Sequence, residues 1–357
     1  MSFLPKCMAT AIGSMPHADV QTALDIIFAS VPLAPIWPQL PKTSLLEQME
    51  IQYSGSMPRA VVDHDKRRLF FDTSGDPSED LAAFYEQYLL AMDPDEGTGD
   101  CSAMAISPEY SQGVYALEAR LQKTGAKLPF VKVQTTGPIS FALATVDENK
   151  RALYYNEEFR DMVVKALAMK SRWQVRKFAP FAERVICFLD EPILSAFGSS
   201  TYVSVNREDV VAHVAEVVEA IRADGGVPGM HCCGNTEWSI PVDAGVDIVN
   251  FDAYEYGETV AIYPDSINEL FARDGVLAWG IVPSSSKVME EDAASLADRL
   301  ERLWDLLAAK GVDRDAIAQR TILTSSCGCG SLKIEEAERV FALIRATSLE
   351  MQKRGGF

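Results

Sequence analysis

The sequence predicts an α/β fold, a single (β/α)8 TIM-barrel domain over residues 1–357 with an insertion between the second and third strands. Three observations predict it. Short apolar runs alternate with longer amphipathic stretches, which is typical of a parallel sheet with crossover helices. Eight such runs occur, and eight repeats imply that the sheet closes into a barrel. No G-x-G-x-x-G turn follows any run, which disfavours an open dinucleotide-binding sheet.

The predicted strands are the apolar runs at 9–14, 34–40, 130–138, 184–192, 226–234, 246–255, 276–285 and 320–328. Between them, apolar residues recur every three or four positions, which predicts amphipathic helices. The clearest helical stretches are 19–31, 156–179, 206–224, 294–311 and 334–351. Asn156 and Asn206 open two of these stretches, where an Asn side chain can cap the first turn.

Residues 43–128 are too long for one crossover helix and are interpreted as an insertion on the barrel. They contain a possible hairpin at 59–73 and a helix around 77–92, followed by an acidic, turn-rich stretch at 93–100 that reads as a solvated loop. We expect this segment to act as a lid or an oligomer contact, and not to form a separate domain.

The composition excludes several classes of partner. The formal net charge is −18, and such a surface repels phosphate backbones and anionic lipid, so neither nucleic acid nor a membrane surface is an expected partner. No apolar run reaches the ~18 residues of a transmembrane helix. The seven cysteines are odd in number and no secretion signal is visible, so we expect reduced thiols and a cytoplasmic protein.

Polar and turn-forming residues collect at the predicted strand ends, where barrel enzymes build their active sites. Trp37 and Gln39 stand at the second of these ends, and Gln39 is a candidate pocket residue. The other signatures are Gly13-Ser14, Thr136-Gly137-Pro138, Asp190-Glu191-Pro192, His231-Cys232-Cys233-Gly234, Asp252 with Glu255, Ser284-Ser285-Ser286 and Cys327-Gly328-Cys329.

A metal site is predicted from four of these residues. His231 and Cys233 are two positions apart on one strand, so their side chains project to the same side while Cys232 points away. Glu255 follows the next strand and Cys327 the last one. Thiolate, imidazole and carboxylate together are a set that suits Zn²⁺. Each Cys or His taken alone could be an ordinary core residue, buried or hydrogen-bonded. That alternative explains the joint pattern of the four residues less well.

Zinc at such a site can hold a substrate thiol as thiolate near neutral pH, although a free thiol has a pKa of about 8.5. The thiolate is the nucleophilic form. A sulfur-rich, electron-rich ligand set is poorly suited to making hydroxide but leaves a bound sulfur nucleophilic. The site therefore favours alkyl transfer to sulfur over hydrolysis.

These motifs, in their order, resemble the catalytic C-terminal barrel of cobalamin-independent methionine synthase, in the superfamily that includes uroporphyrinogen decarboxylase. The resemblance covers nearly the whole chain through ATAIGSMP, TTGPISF, LDEP, His231-Cys232-Cys233, Glu255 and SSCGCGSL. I-G-S and T-G-P are weak signals alone, whereas H-x-C, Glu and C-G in order are strong together.

The resemblance implies roles for individual residues. Ile12, Gly13 and Ser14 would hold the carboxylate of homocysteine, and Asp190 would contact the same amino acid. Catalysis would involve Asp190, His231 and Cys233. The zinc ligands would be His231, Cys233, Glu255 and Cys327, with Cys329 as an alternative to Cys327.

Three departures from the family pattern bear on donor and acceptor. The second, folate-binding barrel is absent, and Ser284 or Ser285 stands where the family has a catalytic His. The acid that holds the homocysteine amine falls at Ala196, so Glu191 or Asp252 is a candidate for that task. A methyltetrahydrofolate donor needs a general acid for its leaving amine, whereas a methyl-corrinoid leaves as cobalt(I) and needs none.

We therefore expect a zinc-dependent methyltransferase acting on a small thiol such as homocysteine. A methyl-corrinoid on a partner protein is the favoured donor, with methyltetrahydrofolate second. The alternatives are a lyase of the uroporphyrinogen decarboxylase type and a non-catalytic zinc- or corrinoid-handling protein. The early Arg-rich loop of the decarboxylases is missing, since the first arginine is Arg59.

Overall fold

The computed structural model describes residues 3–92, 99–202 and 204–357, so most of the predicted acidic loop, residues 93–98, lies outside the described residues. The described strands, β1 to β10 in chain order, are Met8–Ala9, Ala60–Asp63, Arg68–Phe71, Leu128–Thr136, Val146–Asp147, Ala182–Asp190, Val227–Cys232, Ile248–Phe251, Val276–Val282 and Thr321–Ser325. The described α-helices, α1 to α13, are Val20–Ser30, Met49–Ser54, Ser78–Met92, Gln112–Thr124, Pro138–Ala144, Glu157–Phe178, Arg207–Ala223, Ser239–Asp243, Ala253–Tyr256, Pro264–Ala272, Ala293–Ala308, Arg314–Gln319 and Ile334–Gly355. Within the described part of the chain, no helix combines the length and apolar character needed to cross a membrane.

Seven strands form one curled, all-parallel sheet in the order β1-β10-β9-β8-β7-β6-β4. The last six predicted strands are confirmed: β4 and β6 have the predicted length but begin and end two residues earlier, and the other four are shorter than predicted. The helices α1, α6, α7, α11 and α13 occupy the five predicted helical stretches. Asn156 and Asn206 cap α6 and α7, because each side chain accepts a hydrogen bond from the backbone N–H three residues later. The alternation of strand and helix therefore does produce a parallel sheet covered by helices.

Side-chain alternation along the strands separates two apolar layers. One face packs outward against the helices in the main core. The inner face of the curl forms a second, smaller cluster of buried residues, Met8, Ile12, Ala34, Ile186, Phe188, Val227, Ile248, Val276, Ala278 and Ile322. Because residues two apart share a face, the inner face continues upward from Phe188 to Asp190 and from Val227 to His231. The polar residues of the site thus stand directly above an apolar floor.

The prediction of a second full strand at 34–40 is corrected by the structure. This segment makes two isolated parallel bridges, between Ile36 and Lys132 of β4 and between Ser14 and Gln39. Pro35 and Pro38 lack backbone N–H groups, so the segment cannot build a continuous ladder with either neighbour. The fold is therefore TIM-barrel-like, with a seven-stranded sheet whose two edges are linked by bridges and not by an eighth strand.

The insertion contains the predicted hairpin and helix. Strands β2 and β3 pair antiparallel, and α3 covers nearly all of the stretch 77–92. A buried lysine of α6 fastens the insertion to the rest of the molecule, because Lys170 Nζ donates to the carbonyls of Gly55 (2.6 Å) and Met104 (3.2 Å). Tyr85 of α3 donates to Asp161 of α6 at 2.6 Å. These contacts hold the insertion against α6, the long helix that follows β5 in the chain.

Candidate functional site

A pocket of about 400 Å³ opens at the carboxyl ends of the sheet strands. Eight of the residues predicted for the site line it, namely Ile12, Gly13, Ser14, Gln39, Asp190, His231, Cys233 and Cys327. The remaining lining residues are Pro41, Gln48, Met49, Glu50, Gln134, Pro192, Gly328, Gly330 and Ser331. Residues separated by more than 300 positions therefore meet in one cavity, as expected where parallel strands end together.

Three metal-ligating side chains converge at this pocket. A ring nitrogen of His231 and the sulfurs of Cys233 and Cys327 all lie within 4.8 Å of one another. His231 lies in β7, Cys233 follows its last residue, and Cys327 lies two residues beyond the end of β10. Cys232, between the first two, is fully buried in the main core. The alternation expected from the sequence thus holds at this strand end.

The tautomer of His231 follows from its neighbour Asn250. The Asn250 amide donates to the Ala278 carbonyl (2.8 Å) and to Thr324 Oγ1 (2.9 Å), so its Oδ1 must face His231. His231 Nδ1 lies 2.5 Å from that oxygen and is therefore the protonated nitrogen. Nε2 is buried and has no hydrogen-bond partner, and in the neutral imidazole it is the nitrogen that carries the lone pair. An oriented imidazole with an unpartnered, unprotonated nitrogen is the form that binds a metal ion.

The two sulfurs have opposite electrostatic character. Interaction with the Cys327 thiol, and with the neighbouring imidazole of His231, holds the pKa of Cys233 well below its usual range. The same contact with Cys233, together with burial, holds the pKa of Cys327 far above its usual range. The two sulfurs are therefore coupled through one shared proton. A soft cation placed among these atoms would replace that proton.

Glu255 lies apart from this trio, so the structure brings together three of the four zinc ligands expected from the sequence. Strand β8 ends at Phe251, and Glu255 lies in the short helix α9 beyond it. Its Oε1 accepts a hydrogen bond from Lys287 Nζ at 2.7 Å, and it lines a different cavity of about 340 Å³. The helical turn after the strand end carries the carboxylate away from the sulfurs. His231, Cys233 and Cys327 remain as the side chains that could hold a metal.

Asp252 occupies the place directly after β8. It is buried, and its Oδ1 accepts a hydrogen bond from the Glu255 backbone N–H at 2.9 Å, which caps α9. Burial raises the pKa of Asp252 to about 6, and the charges of Glu255 and Cys233 act in the same direction. The Asp252 carboxylate is therefore close enough to interact with the charge of Cys233, and at the same time it caps the first turn of α9.

Glu191, predicted to bind substrate, instead belongs to the scaffold. It is fully buried, and its carboxylate accepts hydrogen bonds from the backbone N–H groups of Ile139 (2.9 Å) and Ser140 (2.7 Å) at the start of α5. Burial raises its pKa to about 7. A Cβ on Gly137 would stand 2.3 Å from this carboxylate, so the T-G-P turn needs glycine there. The neighbouring Asp190 is the acid that faces the pocket, and its Oδ1 is buried without a partner.

The I-G-S segment forms the opposite side of the pocket. Gly13 has φ +126°, and a Cβ there would fall 2.4 Å from Gln134 Nε2, so both its backbone and its surroundings require glycine. Ser14 Oγ accepts a hydrogen bond from the Gly330 backbone N–H at 2.9 Å. The Ser14 carbonyl accepts from the Cys329 N–H at 2.8 Å. The segment is therefore held against the loop that carries Cys327.

Cys329 is excluded as the alternative to Cys327. Its side chain is 2% exposed and packs in the main core, where burial raises its pKa to about 12. Of the two cysteines, Cys327 is the one that faces the pocket.

At the end of β9, where the family resemblance places a histidine, Ser284 Oγ and Ser326 Oγ form a hydrogen bond of 2.8 Å.

The insertion supplies a wall of the pocket that the sequence did not identify. Gln48, Met49 and Glu50 line the cavity, and the Met49 carbonyl accepts a hydrogen bond from Thr136 Oγ1 at 3.2 Å.

Asn250 and Gln134, two residues of the sheet, were also not identified from the sequence. The signal was present, since each is a polar residue in the middle of an apolar strand, where a buried polar side chain needs a specific partner.

Comparisons with known proteins bear on the fold. No protein-family model matches the chain, and no curated protein matches it. Among solved structures, a methyltransferase from Methanosarcina mazei has 14% identity over 96% of this chain and 93% of its own, with a TM-score of 0.50. A B12-independent methionine synthase from Shewanella sp. W3-18-1, in complex with selenomethionine, has 15% identity over 68% and 67% of the two chains, with a TM-score of 0.44. At 14% identity the likeness to the Methanosarcina mazei structure is one of fold, and it supports a TIM-barrel-like relationship.

Proposed function

We propose that this protein is a zinc-dependent methyltransferase that moves a methyl group to a small thiol such as homocysteine. The observation that carries the proposal is the unpartnered Nε2 of His231 beside the sulfurs of Cys233 and Cys327, at the base of a pocket. A fixed imidazole and two sulfurs suit zinc better than Mg²⁺ or Ca²⁺, which prefer oxygen ligands.

Zinc would be held by His231 Nε2, Cys233 Sγ and Cys327 Sγ. Three protein ligands leave one tetrahedral position open, which distinguishes a catalytic from a structural zinc site. All three residues line the pocket, so that position would face its interior. When bound, zinc would keep a thiol that enters this position ionised, and hence nucleophilic, near neutral pH.

The rest of the pocket suits the amino-acid part of the acceptor. Glu50 and Asp190 are the acidic residues that line it, and no Lys or Arg is among the described lining residues. Asp190 Oδ1, which has no partner, would receive the acceptor's ammonium group. The Gly13-Ser14 turn would receive its carboxylate, as the family resemblance implies. Glu50 replaces Glu191 as the second acid available for the ammonium.

The favoured donor is a methyl-corrinoid carried by a partner protein. The sulfur–carbon bond would form as the cobalt–carbon bond breaks, with its electron pair remaining on cobalt, so this donor needs no proton. Methyltetrahydrofolate needs a general acid for its departing amine. His231 is the histidine that lines the described pocket, and it is committed to the metal, while Ser284 is paired with Ser326. Methyltetrahydrofolate therefore stays the second donor.

The bridges of segment 34–40 also support a closed architecture. We infer that this segment takes the place of an eighth strand, and that the chain folds as one domain in which residues 43–128 form a lid-like wall. A protein-bound donor would need the mouth of this pocket to be broad.

Zinc content and X-ray absorption test the proposal. We expect one zinc per chain, with a shell of one nitrogen and two sulfurs that gains a third sulfur when homocysteine is added. Cys327→Ala should lose the metal, whereas the matched variant Cys329→Ala should keep it. Wild-type protein that binds no zinc, either as purified or after incubation with zinc, would contradict the proposal and favour the decarboxylase-type lyase.

Turnover separates an enzyme from a zinc-handling protein. We expect S-methyl product from methylcobalamin and homocysteine with wild-type protein, and none with Cys327→Ala. A zinc-loaded protein that forms no methylated product with any of a panel of small thiols, whether the donor is methylcobalamin or methyltetrahydrofolate, would favour the non-catalytic alternative.

A further inference from the structure

A lysine lies buried in the interior of the sheet directly below the pocket. Lys132 is in the middle of β4, its side chain is fully buried, and its Nζ lies 4.6 Å from the ring centroid of Phe188 in the inner apolar cluster. It forms no ion pair with a carboxylate among the described residues, and its hydrogen bond goes to Gln134 Oε1 at 3.3 Å. Burying an ammonium group among apolar side chains is unfavourable, so its presence calls for a function.

Gln134 connects this lysine to the pocket. Lys132 and Gln134 are two positions apart on β4, so both side chains point to the inner face. Gln134 Oε1 accepts from Lys132, and Nε2 donates to the Trp37 carbonyl at 3.3 Å, so both ends of the amide are fixed. The backbone of Gln134 is also held, since its carbonyl accepts from Tyr53 Oη at 2.8 Å.

The Gln134 amide in turn supports the I-G-S turn. It occupies the space where a side chain on Gly13 would be, with Nε2 only 2.4 Å from the ideal Cβ position. Gln134 and Gly13 both line the pocket. A continuous series of contacts therefore runs from the Lys132 ammonium through the Gln134 amide to the turn that would bind the acceptor's carboxylate.

We propose that Lys132 is a positioning residue that fixes Gln134 against Gly13 and sets a positive charge beneath the carboxylate-binding end of the pocket. The inference rests on the proposed function and deepens it, because it assigns residues that position the acceptor's carboxylate. Asp190 presents an unpartnered oxygen to the ammonium at one side, and Lys132 acts through Gln134 on the carboxylate at the other.

The charges around Lys132 are consistent with this arrangement. Burial lowers the pKa of Lys132 to about 8, while the negative charge of Asp190 raises it. The negative charge of Asp190 therefore partly offsets the effect of burial and favours the ammonium form. In a buried site with little water, such a charge acts over a longer range than it would at the surface.

A second buried lysine provides a matched control. Lys170 is also fully buried and pairs with no carboxylate among the described residues, but its Nζ donates to the carbonyls of Gly55 and Met104, outside the lining of the pocket. Lys132→Met and Lys170→Met each remove the ionisable group of a fully buried lysine. A general effect of losing a buried lysine would therefore appear in both variants.

Calorimetric titration of zinc-loaded protein with three thiols tests the proposal. The probes are L-homocysteine, its desamino analogue 4-mercaptobutyrate, and its decarboxylated analogue 3-aminopropane-1-thiol. Lys132→Met should weaken the two carboxylate-bearing thiols at least ~10-fold and leave the aminothiol within ~3-fold, with zinc content unchanged. Lys170→Met should leave all three within ~3-fold. Asp190→Asn should show the opposite selectivity, weakening the two amine-bearing thiols.

Should Lys132→Met fail to fold, Gln134→Met breaks the same series of contacts and should reproduce its selectivity. Wild-type binding of homocysteine together with an unchanged Lys132→Met profile would overturn this inference alone. Equal weakening of all three thiols by Lys132→Met would also overturn it, since the effect would not depend on the carboxylate. Wild-type zinc protein that binds none of the three thiols would overturn the proposed function and the inference together.

Discussion

His231 Nδ1 lies 2.5 Å from Asn250 Oδ1, and this contact determines which nitrogen of the imidazole is free. The two residues are on neighbouring strands β7 and β8, where they are register partners in the sheet. Both amide hydrogens of Asn250 are already used, by the Ala278 carbonyl and by Thr324 Oγ1. The sheet itself therefore orients the imidazole before any metal is bound.

Asn250→Ala should lower zinc affinity by about 10- to 100-fold, the usual consequence of removing a residue that orients a metal-bound histidine. The imidazole would lose the acceptor that fixes its tautomer. Competition with a chromophoric chelator measures the affinity. Asn268→Ala, at an exposed position of α10 whose amide donates to the Gly311 carbonyl, is the control. Equal affinities for wild type and Asn250→Ala would show that the contact has no such role.

Removal of the metal should lower the melting temperature of the wild-type protein. A ligand that binds only the folded state stabilises it by about 4 kcal/mol when present at 1,000 times its dissociation constant. Differential scanning calorimetry before and after chelation, and again after zinc is restored, should show a reversible loss. Cys233→Ser, which removes a ligand, should not respond. A chelation effect of the same size in Cys233→Ser would argue against the trio as the zinc site.

Glu255→Gln should retain one zinc per chain, because the carboxylate is paired with Lys287 and not with the trio. Metal analysis after dialysis checks the stoichiometry, and Lys287→Met, which removes the other half of the pair, serves as the control. Loss of zinc in Glu255→Gln with retention in Lys287→Met would restore the four-ligand set that the sequence suggested.

Gly137→Ala should destabilise the fold by about 1–3 kcal/mol, as overpacking of a filled interior does. Its φ of −70° suits any residue, so the effect would come from the Glu191 carboxylate that fills the side-chain space. Urea unfolding measures the free energy. Gly55→Ala is matched, with φ −55° and its nearest neighbour at an ordinary 3.4 Å. Equal losses in both variants would contradict this account of the T-G-P turn.

The stability of the wild type relative to Lys170→Met should rise as the pH increases from about 7 to about 9. Burial lowers the pKa of Lys170 from 10.5 to about 7 in the folded state. In this interval the unfolded chain holds a proton that the folded chain lacks, so raising the pH disfavours unfolding. The slope of the difference should approach about 1.4 kcal/mol per pH unit. Urea unfolding at several pH values measures it, and a flat difference would refute the lowered pKa.

Much of the architecture could be predicted from local patterns. Period-two and period-3.6 apolar patterns depend on neighbours in the chain, so the sequence located six of the sheet strands and five long helices. Side-chain alternation along a strand correctly predicted that His231 and Cys233 lie on one side and that Cys232 points into the core. The segment 34–40 was misjudged because its apolar pattern resembles a strand while Pro35 and Pro38 prevent a ladder.

The sequence by itself determined the strands, the helices and the candidate residues at the strand ends, because side-chain alternation and amphipathic spacing are properties of neighbouring residues. Only the tertiary structure decided which of those candidates meet. Glu191 directly follows Asp190, and Glu255 lies four residues beyond the end of β8, yet Glu255 pairs with Lys287 and Glu191 caps α5. Where a strand stops, and which way the chain turns next, depends on contacts between residues far apart in the chain, and these also brought Lys132 beneath the pocket.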